Sequence, residues 1–138
     1  MTKPLVSIIT PCYNGEAFLK RYFESILNQT YPNLELIFIN DGSTDRTEEI
    51  ALSYRERLEK RGITYIYEKQ ENAGQAAALN RGLKLFTGEY LTWPDSDDEM
   101  VSDAVEKKVD YLEQHPDYGF CICTVSYTHL RAHETLRH

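Results

Sequence analysis

A chain of 138 residues can bury one core and is too short for two domains. Its net charge of -7 and pI near 5.1 argue against nucleic acid or an anionic membrane as a sequence-independent partner, on an otherwise ordinary globular composition of 41% hydrophobic and 27% charged residues. No stretch approaches the roughly 20 apolar residues of a membrane span, and the opening "MTKPLVSIITP" is too short for a secretory signal.

Cys12, Cys121 and Cys123 have no paired spacing, so they read as buried thiols. The expected location is a reducing, cytoplasmic compartment, with peripheral association at the inner face of a membrane as the only membrane role.

Residues 5–10, "LVSIIT", are apolar and β-branched and suit a strand buried on both faces, which Pro11 is expected to stop. Phe18, Leu19, Tyr22, Phe23, Ile26 and Leu27 recur at helical spacing and predict a helix over 16–29. "LELIFIN" at 34–40 is a second strand. One helix is expected from 45 to 61, capped by Asp45 with Glu48 completing a capping box, and closed by Gly62. A third strand over 63–68, a third helix over 74–86, a short strand over 90–93 and a helix over 102–114 follow. Residues 120–123 begin a fifth strand. Strands alternating with helices imply right-handed crossovers and a mostly parallel, doubly wound α/β sheet.

Ligands of such sheets bind beyond the carboxyl ends of the strands, which directs attention to four loops. Pro11-Cys12-Tyr13-Asn14-Gly15 offers a rigid proline and a ring that can stack on a base, with Asn14 bonding loop or ligand; the plain alternative is a turn. Asp41 can accept from the imide N–H of a uracil-like base or from ribose hydroxyls, or can simply hold a turn. Asn72 and Gly74 open the third helix, whose N-terminal amides favour phosphate, although small residues there also permit close packing. No GxGxxG follows a strand and the first loop has no P-loop lysine.

The fourth loop, "DSDDE", places Asp95, Asp97 and Asp98 within four residues, with no Lys or Arg between Lys84 and Lys107. One pair of carboxylates at about 5 Å and an effective dielectric near 20 repels by roughly 3 kcal/mol. A divalent cation relieves that repulsion, since Mg²⁺ and Mn²⁺ take oxygen ligands from protein carboxylates and substrate phosphates. A solvated turn with Asp98 as a helix cap is the alternative.

From about residue 125 the character changes. "VSYTHLRAHETLRH" continues no strand–helix alternation, and its His129-x3-His133 pair lacks a third zinc ligand. It is read as a non-native or disordered tail.

Taken together, "VSIITPCYNGEAFL", "SILNQTYPNLELIFINDGSTDRT", "ENAGQAAALNRGL" and "GEYLTWPDSDDEM" resemble glycosyltransferase family 2 over about residues 4–115. The resemblance implies the Rossmann-like GT-A fold of nucleotide-diphospho-sugar transferases, incomplete at the C-terminus. Residues 1–124 would be a partial nucleotide-sugar-binding domain and 125–138 the tail. It implies that Tyr13 and Asp41 hold the nucleobase, with Pro11 and Asn14 shaping that wall. Asp95 and Asp97 match the DxD pair, which contacts ribose and a Mn²⁺ or Mg²⁺ on the diphosphate. Trp93-Pro94 departs from the smaller apolar pair common before that motif.

The implied activity is inverting transfer of a sugar from a nucleotide donor, UDP-sugar by expectation, to a glycan, lipid or protein acceptor. The family's general base lies in a later half that this chain does not contain, so the chain alone is expected to be inactive. Rival readings are a nucleotidyltransferase, which would want a glycine-rich basic first loop, and a non-catalytic nucleotide-binding module.

Overall fold

The computed structural model describes residues 3–94, 100–115, 118–122 and 134–137. In chain order these form β1 (Val6–Cys12), α1 (Leu19–Leu27), β2 (Leu34–Asp41), α2 (Thr47–Ser53), α3 (Arg55–Lys60), β3 (Thr64–Gln70), α4 (Gln75–Leu83), β4 (Tyr90–Thr92), α5 (Ala104–Gln114), β5 (Tyr118–Ile122) and β6 (Glu134–Arg137). The first four strands pair in parallel in the order β3-β2-β1-β4. Every residue of β1 and β2 is buried, as expected of unbroken apolar runs in a sheet covered on both faces.

Alternation along these strands divides the core. Ile8, Cys12, Leu36 and Phe38 face α1, α2, α3 and α5, whereas Ile9, Ile37 and Ile39 face Ala78 of α4. Gly82 lets α4 close onto β1, since a Cβ there would lie 2.4 Å from Ile9. On the larger face Phe23 is the hub: it stacks on Tyr54 at 4.8 Å and Phe38 at 5.6 Å and meets Tyr22 and Tyr65 edge-on.

Pro11 does not stop β1, which runs on to Cys12 with Pro11 opposite Ile39 of β2. The register explains why. Val6 N–H donates towards β2, to Asn33 O, while Leu5 O accepts from Glu89 and Tyr90 on the β4 side. Backbone groups alternate sides, so the N–H that proline lacks would point to the β4 flank. There β4 has already ended, its last partner being Ile8, and the ladder loses nothing.

The single helix expected over 45–61 is two, meeting at Tyr54, where ψ is -6°. Gly62 does close the second: with φ +89° it donates to Glu59 O while Ile63 donates to Leu58 O, a Schellman motif. The capping box does not form, because Glu48 turns to Tyr67 Oη at 2.9 Å and Lys69 Nζ at 3.2 Å on β3.

Glu35, buried at the start of β2, ties the turn into β4. It accepts from Ser7 Oγ at 2.6 Å, Thr87 N–H at 2.9 Å and Thr87 Oγ1 at 2.9 Å. Residues 118–122 do form a strand, but it pairs antiparallel with β6 in a separate two-stranded sheet. β6 lies within the segment that the sequence reading assigned to the tail.

Candidate nucleotide-sugar site

Because β1 to β4 are parallel, the loops after them leave from one end of the sheet. The first two are laced together. Asn14, at φ +51° in the left-handed region that asparagine tolerates, donates its N–H to Ser43 Oγ at 2.9 Å. Its side-chain oxygen accepts from Thr44 N–H at 2.8 Å. Gly15 N–H donates to Thr47 Oγ1 at 2.9 Å and Glu16 N–H to Asp45 Oδ2 at 3.1 Å. Asp45 Oδ1 in turn accepts from Thr47 N–H at 2.9 Å and Thr47 Oγ1 at 2.6 Å. The N-cap of α2 is Arg46 rather than the expected Asp45, which stands one residue earlier, bonds Thr47 at the start of the helix and clasps the two loops as well.

Asp41 organises the third loop. Oδ1 accepts from Gln70 Nε2 at 2.9 Å and Ala73 N–H at 2.8 Å. Oδ2 accepts from Asn72 Nδ2 at 3.2 Å and Gly74 N–H at 3.0 Å. Asn72 Nδ2 also reaches Asp41 O at 3.0 Å. A carboxylate has about four acceptor positions, and all of Asp41's are taken by the protein. Gly42, at φ +70°, presses so closely that a Cβ would stand 2.5 Å from Asn72 N.

Burial raises the Asp41 carboxyl, and the bonds from Gln70, Ala73 and Gly74 outweigh it, holding the group below the usual carboxylate range. Asp45 is likewise held low, burial being overcome by bonds from Thr47 and Glu16. A depressed folded value contributes stability that is fully present above the unfolded value, about 3.9, and lost as pH falls through the folded one. The urea midpoint is expected to drop on acidification below about pH 4, and more shallowly in Asp45→Asn; equal slopes would remove Asp45 from that account.

The structure thus brings Asn14, Asp41, Asn72 and Gly74 to the linked ends of β1, β2 and β3. Pro11 is buried in β1 and Tyr13 stands 53% exposed beyond it, leaving its ring open to a flat ligand. Two amides that the sequence reading offers to phosphate, those of Ala73 and Gly74, are committed to Asp41. Asp95, Asp97 and Asp98 lie outside the described residues. Among the described residues no group of three or more His, Cys, Asp or Glu could hold a metal, and no helix is long and apolar enough to cross a membrane.

Sequence reasoning missed Gln70 and Glu35. Gln70 becomes visible only when "LELIFIND" is aligned with "TYIYEKQ" in parallel register, which places it opposite Asp41. A separate groove of about 320 Å³ beside β4 and α5, lined by Phe86, Tyr90, Trp93 and Leu112 among others, includes none of the candidate residues.

The family model described as "Glycosyl transferase family 2" matches residues 7–138. The chain belongs to glycosyltransferase family 2. An uncharacterized glycosyltransferase of Haemophilus influenzae is 42% identical over 127 residues, covering 88% of this chain and 50% of that protein. One from Rickettsia typhi is 44% identical over 111 residues, covering 80% and 33%. The chain therefore spans a third to a half of these two relatives.

Among solved structures, the mannosyltransferase PcManGT of Pyrobaculum calidifontis, in complex with GDP-Man and Mn²⁺, superposes with a TM-score of 0.79 at 29% identity, covering 91% of this chain and 36% of that one. TarS 1-349 of S. aureus in complex with UDP-GlcNAc gives 0.74 at 26%, covering 85% and 33%. The fold is GT-A.

Proposed function

We propose that the chain is the donor-binding part of an inverting, metal-assisted glycosyltransferase that takes its sugar from a nucleoside diphosphate, with UDP-sugar as the donor. The observation that carries this reading is the bonding of three strand-end loops into one rim bearing Tyr13, Asn14, Asp41 and Asn72; in sequence, the acidic stretch "DSDDE" comes soon after β4, a fourth strand of the same parallel sheet. Solved family relatives in complex with nucleotide-sugars support it.

Tyr13 offers a face to the base, Pro11 stiffens the strand behind it, and Asp41 holds the loop that opens α4 and meets the edge of the base. Asp95 and Asp97 would hold Mn²⁺ or Mg²⁺, with Asp95 also near the ribose. Three carboxylates within four residues, and no Lys or Arg from 85 to 106, fit a hard cation. When bound, the ion supplies Lewis-acid stabilisation of the charge on the departing diphosphate. The general base of an inverting displacement is assigned to no residue of this chain. Transfer by the chain alone is therefore expected to be negligible, and the acceptor, whether glycan, lipid or protein, is met elsewhere.

Calorimetric titration with UDP and Mn²⁺ tests the reading. Asp97→Ala is expected to lose the metal-dependent part of binding, at least about tenfold (1.4 kcal/mol). Asp110→Ala, an exposed carboxylate on α5, is expected to keep it. No binding of any nucleoside diphosphate by folded protein would overturn the proposal.

A further inference from the structure

Solved relatives on this one fold hold a uridine donor in one case and a guanosine donor in the other, so the backbone does not choose the base. The choice lies in side chains, and the bonds around Asp41 make a specific one. Its four acceptor positions are filled by two backbone donors and two side-chain amides. The backbone donors, Ala73 and Gly74, are fixed by the turn against which Gly42 is pressed.

The two amides differ. Asn72 holds Oδ2 at the longer distance, 3.2 Å, and already donates to Asp41 O at 3.0 Å, so it can leave the carboxylate and remain bonded. Gln70 holds Oδ1 at 2.9 Å from a strand position in ladder register with Asp41 itself. One acceptor position, on Oδ2, is therefore exchangeable.

We propose that Gln70 determines base specificity: by occupying Oδ1 it restricts Asp41 to a base edge that brings a single N–H. This rests on the donor-site reading above. Uracil presents one imide N–H between two carbonyls, so it takes the Oδ2 position and offers a carbonyl to the displaced Asn72 amide. Guanine presents two adjacent N–H groups and finds one acceptor. Cytosine brings an amine N–H beside a ring-nitrogen acceptor, which Oδ2 and the Asn72 amide can also meet, so the discrimination assigned to Gln70 is the one against guanine. Unpaired donors at a closed polar contact are what give discrimination its size.

The test is calorimetric titration of the 138-residue chain, with Mn²⁺, against UDP, GDP and CDP, for the wild type, Gln70→Leu and the unbranched Gln70→Met. The wild type is expected to prefer UDP over GDP by at least about tenfold, and both variants, by vacating Oδ1, to narrow that ratio about tenfold (1.4 kcal/mol each). Because the ratio is taken within each protein, a loss of folded fraction cancels. A wild type that binds GDP as tightly as UDP, or folded variants with an unchanged ratio, would overturn the role of Gln70 while leaving the donor site standing. A wild type that binds none of the three would instead remove the donor site, and this proposal with it.

Discussion

Replacing Phe23 by alanine is expected to lower the unfolding free energy by about 3–5 kcal/mol. Its ring is fully buried and lies against four other aromatic rings contributed by α1, β2, β3 and the junction of α2 with α3. No single neighbour can move in to fill the space without leaving the others. Against a total of about 5–15 kcal/mol for a domain, that loss is a large fraction. It should appear as a fall in urea midpoint with little change in slope. Phe18, five residues earlier and 45% exposed, provides the contrast: Phe18→Ala should stay within about 0.5 kcal/mol of the wild type. Equal effects at the two positions would mean that the larger face of the core is not packed as described.

Asp41→Ala is expected to have the largest effect at the candidate site. It strands two backbone N–H groups and the Gln70 amide, and releases one of the two bonds of Asn72. Leaving a single donor of this kind without a partner costs about 1–3 kcal/mol when no water replaces it. The consequence should be local before it is global. Amide exchange at Ala73 and Gly74 should accelerate, and binding of UDP with Mn²⁺ should fall by at least about tenfold (1.4 kcal/mol). Protection at Ala73 and Gly74 that survives the substitution would show that the loop is held by something other than this carboxylate.

Much of the architecture was legible because it follows from patterns the chain carries locally. "LVSIIT" and "LELIFIN" read as two-faced strands, the stripe through Phe23 read as a helix, and Gly62 read as a stop. The departures come from partners that are distant in sequence. Pro11 reads as a strand end because a central strand needs its N–H on both flanks; that β4 is only three residues long, and so leaves Pro11 at an open flank, depends on pairing with a strand far along the chain. Glu48 sits where a capping box wants it, but Tyr67 and Lys69 on the neighbouring strand draw it away. Helix periodicity carries through Tyr54, yet the helix gives way there, where the ring stacks on Phe23 and the hydroxyl donates to Glu24.

The candidate site divides in the same way. Asp41, Asn14 and Asn72 were identifiable as polar residues at strand ends, whereas the bonds they make were not. Asn14 ties its loop to the next one, and Asp41 is already filled from within. Gln70 carries no motif, and its importance exists only in the register of β2 against β3. The fifth strand expected after residue 120 does form, but outside the parallel sheet.

The two faces of that sheet are unequally covered, and this couples the cleft to the fold. Among the described residues α4 is the one helix on the smaller face, joined there by Leu85 and Phe86 of the turn after it; it is seated where Gly82 meets Ile9, and Ala73 and Gly74, just before it, are moored to Asp41. Helix and loop therefore share one latch. A ligand that engages residues 70–74 raises the free energy of prying α4 from the sheet by RT ln(1 + [L]/Kd), so occupancy of the cleft should be felt as reduced breathing of Ile9, Ile37 and Ile39, apolar residues that no ligand touches.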